Sequence, residues 1–205
     1  MDITIIKPDS ITSGDILLCY AKETVGKADG IENGYSHAAI CLNQTDICES
    51  SGSGVKETNI TKLLEDYEHI AVLRSREIWN EERINKLCEF CKQQVGKKFN
   101  LIGVKKYNKR KKANQETIMD QVHGVFDGTI SPASPDKDMY FCSELITAAF
   151  ISVGIIEKEA AVIFRPEIFS PEDIGRDKLF GFFVGYIIPS DIYKIPENDI
   201  FRTSL

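Results

Sequence analysis

The sequence of 205 residues is 42% hydrophobic and 27% charged, which is typical of a folded globule and excludes a fibrous repeat or a disordered chain. A net charge of -6 argues against a protein that is wrapped around nucleic acid, because that role needs a dense basic surface. The length predicts one domain over residues 1–205, with room for an insertion.

Cysteine usage and the absence of apolar leader features indicate the compartment. Six cysteines are too few for the disulfide framework of a small secreted protein, so we expect free thiols. The first 13 residues lack the apolar core and cleavage site of a secretory signal. The longest apolar stretch, 179–189, is about half as long as a membrane helix. These features predict a cytoplasmic protein with no transmembrane segment, although signal-independent export would leave no trace in the sequence.

Short apolar runs bounded by turn residues predict strands in the first part of the chain. The runs lie at 15–20, 36–42, 46–50 and 69–74. The polar residues that begin at Asn43 separate the second run from the third, which is a hairpin signal.

Helical periodicity appears twice. Apolar residues of 81–95 form one stripe of a helix, which Asn80 is placed to cap. A second stripe covers 141–153, with Asp138 ahead of it as a candidate cap. The aromatic and branched residues of 180–188 suit one or two closing strands. Two helices and about five strands predict an α+β fold.

The periodicity disappears between residues 97 and 139, and we expect an insertion or a mobile flap there. This segment contains a basic run, which is either a solvated loop or a peripheral contact with an anionic surface such as phospholipid or an acidic polymer. The run consists of Lys105, Lys106, Lys109, Arg110, Lys111 and Lys112.

Cys142 is the candidate nucleophile among the cysteines. It lies in the first turn of the second predicted helix, where the backbone amides and the helix dipole favour a thiolate. Taken alone it is as readily a buried core residue as a reactive one. Cys88 and Cys91 resemble half of a zinc site or a redox pair, but no second pair has suitable spacing and the helical stripe explains both residues. We therefore expect no metal and no other cofactor.

His37 and Glu49 supply a candidate base and a group to orient it. A cysteine nucleophile needs a base to take its proton and return it to the leaving group, and His37 opens a predicted strand. If the hairpin turns around Asn43, Glu49 faces His37 on the paired strand, with Cβ atoms about 5 Å apart. A register slip of one residue would turn Glu49 to the other face. His37 as a structural residue and Glu49 as an exposed one are the alternatives.

The motifs together resemble the circularly permuted NlpC-type papain-like cysteine hydrolases, the YiiX-like group. The resemblance is carried by Gly14-Asp-Ile-Leu-Leu, Tyr35-Ser-His-Ala-Ala-Ile-Cys-Leu, Ile47-Cys-Glu-Ser and Tyr140-Phe-Cys-Ser-Glu-Leu. The histidine hairpin precedes the cysteine helix, as in the permuted members. The resemblance implies an antiparallel sheet packed against helices, with Cys142 as nucleophile at a helix N-terminus, His37 as base and Glu49 as orienting residue.

The resemblance leaves the acyl group open. We expect an acyl-enzyme mechanism acting on an amide of the peptide or cell-wall type, with the Cys142 backbone amide as an oxyanion donor and Tyr140 as a candidate second donor. A lipid acyl hydrolase or acyltransferase, related to the lecithin:retinol acyltransferase branch, is the alternative enzyme. A binding module without turnover is the alternative from another class.

Overall fold

The computed structural model describes residues 3–20, 34–132 and 134–203. The first two residues, on which part of the signal-peptide expectation rests, lie outside this range, as does Ala133 of the segment predicted to be an insertion or flap.

The described residues combine a sheet of mainly antiparallel strands with helices, which confirms the predicted α+β class. The strands are β1 (Ile16–Tyr20), β2 (Tyr35–Cys41), β3 (Ile47–Ser51), β4 (Gly54–Thr58), β5 (His69–Arg74), β6 (Lys98–Phe99), β7 (Met139–Tyr140) and β8 (Phe182–Ile187). The helices are α1 (Ile60–Asp66), α2 (Glu81–Gln94), α3 (Leu101–Phe126), α4 (Cys142–Ser152), α5 (Pro171–Arg176) and α6 (Ile200–Thr203). Six strands form one sheet in the order β4-β3-β2-β1-β5-β8, and β6 pairs with β7 in parallel.

The chain divides into two compact units. Unit 1 comprises Met1–Cys48, Glu57–Trp79 and Pro171–Leu205, and unit 2 comprises Glu49–Lys56 and Asn80–Ser170. The expectation of one domain with an insertion at residues 97–139 stays a prediction.

In unit 1 the central strand β1 is buried along its whole length, because both sheet faces are covered. It pairs antiparallel with β2 on one side and β5 on the other. Side chains alternate between the faces of a strand, so Leu17 and Cys19 share one face with Val72 of β5. Ile60 and Leu63 of α1 pack on that face, and α5 packs against β1 and β2.

In unit 2 the first predicted helix is confirmed as α2. The side chain of its N-cap, Asn80, accepts a hydrogen bond from the Arg83 amide at 2.9 Å. Leu87 and Cys91 of the predicted stripe are buried, and α2 packs against α4.

The segment 97–139, in which the sequence showed no periodicity, contains a long helix, because residues 101–126 form α3. Its N-cap Asn100 accepts a hydrogen bond from the Gly103 amide at 2.8 Å. Periodicity missed this helix because its buried residues are Gly103, Asn114 and Gly124, so there is no apolar stripe to detect. Its lysines, arginine, alanine and glutamines are good helix formers, and that composition was the available signal. Within the described residues neither α3 nor any other helix has the length and apolar character needed to cross a bilayer.

The second predicted helix is confirmed as α4, but its cap is not Asp138. The N-cap is Phe141, which lies three residues further along the chain and has extended backbone angles. Every residue of α4 from Cys142 to Ile151 is buried, so the helix is held in the interior of unit 2.

Candidate active site

Cys142 is the first residue of α4 and has 8% of its surface exposed. The amides of the first helical turn point out of the helix end, where the dipole favours negative charge. The Phe141 amide just before it donates to Glu144 Oε2 at 3.1 Å, so the side chain three positions on fixes the helix entry. The predicted placement of the cysteine at a helix N-terminus is confirmed.

The strand that leads into Cys142 is anchored by its backbone. The carbonyl oxygen of Tyr140 accepts hydrogen bonds from the Ser50 hydroxyl at 2.6 Å and from the Asn100 amide at 3.0 Å. Within unit 2, Ser50, which follows Glu49, is therefore hydrogen-bonded to Tyr140, which lies two residues before Cys142. This contact joins β3 to the start of the cysteine helix.

The Tyr140 hydroxyl lies in a buried network that argues against its predicted oxyanion role. It accepts from the Lys137 amide at 2.8 Å and donates towards the Pro135 carbonyl at 2.7 Å, with Gln94 Oε1 at 3.0 Å. Tyr140 is fully buried, and this burial raises the pKa of its hydroxyl. A phenol with one proton must break these bonds before it can donate to an intermediate.

The buried Glu144 belongs to a partly exposed ionic network that the sequence reasoning missed. Its carboxylate accepts from Asn100 Nδ2 at 3.0 Å and from Lys137 Nζ at 2.8 Å. Lys137 also bonds Glu167 at 3.0 Å, and Glu167 accepts from Arg165. The sequence offered one local signal for the role of Glu144, which is an acidic residue at the third position of a helix. Its partners Asn100 and Lys137 lie outside that helix and show no spacing that would predict the contact.

His37 lies on β2 of unit 1, opposite Cys19 of β1. Its imidazole is almost fully buried and stacks on the Tyr67 ring, with centroids 5.4 Å apart and planes at 4°. A ring held by strand and stacking contacts has few orientations available, which suits a base that must stay in place.

Glu49 lies on β3 in unit 2 and is also buried. Its Oε1 is 3.3 Å from Lys56 Nζ, on the adjacent strand β4. The exposed alternative for Glu49 is therefore wrong. Its predicted contact with His37, which belongs to unit 1, stays a prediction.

The hairpin that carries Glu49 passes very close to the chain after α2. The Val55 amide donates to the Lys97 carbonyl at 2.8 Å, and the Gly96 amide donates to the Val55 carbonyl at 2.9 Å. A Cβ atom at Gly54 would lie 2.4 Å from the Lys97 carbonyl oxygen, and the φ angle there is +98°. Only glycine fits both constraints, which explains the glycine after the Glu49 motif.

None of the other five cysteines lies at the start of a helix, as Cys142 does. Cys41 is buried in β2, and this burial raises the pKa of its thiol well above the usual value. Cys91 is buried on the stripe of α2, whereas Cys88 is partly exposed. Across the described ranges, no three His, Cys, Asp or Glu side chains are arranged to hold a metal ion.

The basic run lies on α3 rather than in a loop. Lys105, Lys106, Lys109 and Lys112 are exposed on this helix, and Lys111 donates to the Tyr107 hydroxyl at 3.0 Å. The helix therefore presents several cations to solvent in a protein with a net charge of -6.

A family model described as "Permuted papain-like amidase enzyme, YaeF/YiiX, C92 family" matches residues 10–115, just over half of the chain. The chain belongs to this family. The resemblance inferred from the motifs is thus confirmed, as is the permuted papain-like fold class. His37 and Glu49 lie inside the matched range of the C92 amidase model, and Cys142 lies beyond it.

One solved structure is similar to this member of the C92 family. It is described as the crystal structure of metalloprotein yiiX from Escherichia coli O157:H7, with 16% identity and a TM-score of 0.46. The alignment covers 90% of this chain and 93% of that chain. Its description as a metalloprotein concerns that protein. No curated protein matches the present chain significantly.

Proposed function

We propose that this permuted papain-like enzyme is a cysteine hydrolase that cleaves an amide of the peptide or cell-wall type. Cys142 is the nucleophile, His37 is the base and Glu49 is the positioning residue for the imidazole. The observation that carries the proposal is a cysteine at the first residue of a buried helix in a member of a permuted papain-like amidase family.

The proposed reaction has two halves. His37 takes the thiol proton, and the Cys142 sulfur bonds to the amide carbon, giving a tetrahedral oxyanion that the Cys142 backbone N–H stabilises. The imidazolium returns the proton to the nitrogen as the C–N bond breaks, which releases the amine and leaves a thioester. His37 then takes a proton from water as its oxygen attacks the thioester. The C–S bond then breaks, which releases the acid, and the imidazolium returns its proton to the Cys142 sulfur.

Glu49 is suited to its proposed role by its own surroundings. A buried carboxylate is stable as an anion only when it is paired, and Lys56 at 3.3 Å supplies a positive partner. An ionised Glu49 favours the imidazolium form of His37 and so favours the thiolate. Glu49 therefore acts on the reaction through His37 and does not itself contact the substrate.

Thiol alkylation with iodoacetamide over a range of pH tests the nucleophile and its base. We expect Cys142 to be labelled well below the ordinary thiol pKa of about 8.5, with the labelled residue identified by mass spectrometry. His37→Ala should slow labelling at neutral pH about ten-fold or more, because the thiolate loses its cationic partner. Cys142→Ala should abolish amine release from peptide and peptidoglycan fragments while thermal stability stays close to that of the wild type.

Cys88→Ala is the matched control, since Cys88 is a partly exposed thiol of unit 2 outside the proposed site. It should leave both labelling of Cys142 and amine release unchanged. Equal labelling rates of Cys88 and Cys142 at neutral pH would contradict the proposal, as would a labelling rate that His37→Ala does not alter.

Glu49→Gln separates a positioning role from a merely structural one. Loss of the carboxylate removes support for the imidazolium, so the pH profile of Cys142 labelling should move to higher pH. A variant that lowers thermal stability without moving this profile would assign Glu49 to the fold alone.

A lipid acyl hydrolase or acyltransferase is the second candidate, and the surface of α3 favours it. Next to the exposed lysines, Leu101 and Ile102 at the start of the helix are 49% and 59% exposed. Cations beside exposed aliphatic side chains suit an anionic lipid surface.

Co-sedimentation with phosphatidylcholine vesicles, with and without phosphatidylserine, tests this candidate. If the protein acts on lipid, we expect it to bind only the anionic vesicles and to bind them more weakly as NaCl increases. The triple variant Lys105→Gln, Lys106→Gln, Lys109→Gln should lose this binding. Acyl products from the lipid must also depend on Cys142. Amine release from peptide-type amides with no vesicle binding would exclude it.

A further inference from the structure

A cavity of about 560 Å³ lies within unit 2, beside the start of the cysteine helix. Ligand sites for small molecules commonly fall in the range of about 300–1,000 Å³. One wall is a single face of α3, formed by Arg110, Asn114, Thr117 and Gln121. These positions recur at helical spacing, so the polar stripe is a property of the helix rather than of one loop.

The opposite wall carries charges that are already paired. Lys137 bonds both Glu144 and Glu167, at 2.8 and 3.0 Å. Arg165 bonds Glu167 and also donates to Gln121 Oε1 at 3.0 Å, across to the α3 wall. The two cations and two carboxylates of this network pair with one another, so this wall has no unpaired charge.

Two groups on α3 are left without partners among the described residues. Asn114 is 7% exposed and lines the cavity, and its Oδ1 accepts no hydrogen bond. The guanidinium of Arg110, one turn earlier, makes no ion pair or hydrogen bond within the described ranges. Buried carboxamides are normally satisfied, and Arg is suited to binding carboxylates through two N–H groups.

We propose that this cavity binds a small carboxylate that also carries an N–H group, such as an N-acylated amino acid. Its carboxylate pairs with the Arg110 guanidinium. Rotation of the Asn114 carboxamide about its Cβ–Cγ bond brings Oδ1 to the cavity, where the ligand N–H donates to it. Lys137, Glu144 and Glu167 are paired with one another and form a polar wall, so the ligand needs no second charged group to pair with them.

The site is separate from the reacting thiol. Glu144 lines the cavity, and residues two apart on a helix point about 200° apart, so Cys142 projects from the other side of the helix start. The inference therefore goes beyond the proposed hydrolase function. It stands even if Cys142 has no catalytic role.

Isothermal titration with N-acetylglycine tests the site. We expect saturable binding with one ligand per chain. N-acetylglycinamide, which replaces the carboxylate by a neutral amide, and acetate, which has no N–H, should each bind about ten-fold more weakly or not at all. Absence of saturable N-acetylglycine binding, or equal affinity for all three compounds, overturns the proposal.

Matched variants locate the binding. Arg110→Gln should weaken N-acetylglycine binding about ten-fold or more. Lys109→Gln removes the same charge from the adjacent, exposed position on α3 and should leave the affinity unchanged. Equal weakening in both variants would show a general charge effect and would overturn the proposal.

Asn114→Leu gives an independent readout. It removes an unsatisfied buried carbonyl, so the midpoint of thermal unfolding should stay the same or rise by about 2–4 °C while N-acetylglycine binding is lost. Wild-type affinity in this variant would overturn the role of Asn114. If Asn114→Leu unfolds, the comparison of Arg110→Gln with Lys109→Gln decides the proposal alone.

Discussion

Asp199 is the buried carboxylate on which the polar groups of unit 1 converge. Its oxygens accept from the Tyr35 hydroxyl at 2.8 Å, the Tyr186 hydroxyl at 2.6 Å and the Phe201 amide at 2.9 Å. His69 Nε2 lies 3.3 Å from the same carboxylate, and both side chains are fully buried. Burial opposes its ionisation, but the hydrogen bonds from His69 and Tyr186 outweigh burial and lower the pKa of Asp199.

Asp199→Ala should lower the free energy of unfolding by about 3–5 kcal/mol, because it leaves several buried donors without an acceptor. Chemical denaturation of the purified variant measures this loss. Asp191→Ala, at an exposed position of the same unit, should change it by no more than about 0.5 kcal/mol. A loss below about 1 kcal/mol for Asp199→Ala would show that the tyrosine hydroxyls find other acceptors.

At the scale of elements, the entry to β1 depends on a backbone conformation that only glycine adopts easily. Gly14 has a φ angle of +84°, and a Cβ atom there would lie 2.3 Å from the indole of Trp79. Its amide donates to the Cys41 carbonyl at 2.8 Å, which aligns the start of β1 with the end of β2, the strand that carries His37.

Gly14→Ala should therefore destabilise the protein by about 2–4 kcal/mol, through the left-handed backbone and the collision with Trp79. The unfolding midpoint in urea measures the effect. Gly52→Ala is the control, since no atom lies within 4 Å of a Cβ there and the backbone is not left-handed. Similar losses for both variants would mean that neither the collision nor the φ angle at Gly14 matters.

At the scale of the whole molecule, each unit contains a carboxylate whose pKa is lowered in the folded protein: the partly buried Glu167 in unit 2 and the buried Asp199 in unit 1. Burial alone would raise the pKa of Glu167, but Lys137 and Arg165 outweigh burial and lower it to about 2. The pKa of Asp199 in unit 1 is lowered as well. Because both values are depressed in the folded state, the stability they supply is present above the pKa values of the unfolded chain and is lost as pH falls.

The free energy of unfolding should decrease as pH falls from about 4.5 to about 2, with Glu167 alone accounting for about 3 kcal/mol. Denaturant unfolding at a series of pH values measures the slope of the free energy of unfolding against pH. Glu167→Gln should make that slope shallower, whereas Glu159→Gln, at an exposed position, should leave it unchanged. A slope that Glu167→Gln does not alter would contradict the depressed pKa.

Local pattern was sufficient to predict the elements that position the candidate site. The apolar runs that became β1 and β2, the stripe of α2 and the cysteine at the start of α4 all follow from spacing over a few residues. Such spacing reflects which side chains share one face, so it is legible without the fold. The roles of Cys142, His37 and Glu49 in chemistry stay predictions.

Tertiary structure decided what joins residues far apart in the chain. Tyr35 and Asp199 are bonded although 164 positions separate them, and Ser50 is bonded to Tyr140 across 90 positions. The α3 helix escaped prediction because it buries almost no apolar side chain, yet its polar face lines a cavity. Periodicity records only apolar burial, so buried polar contacts become visible once the chain has folded and brought donors to acceptors.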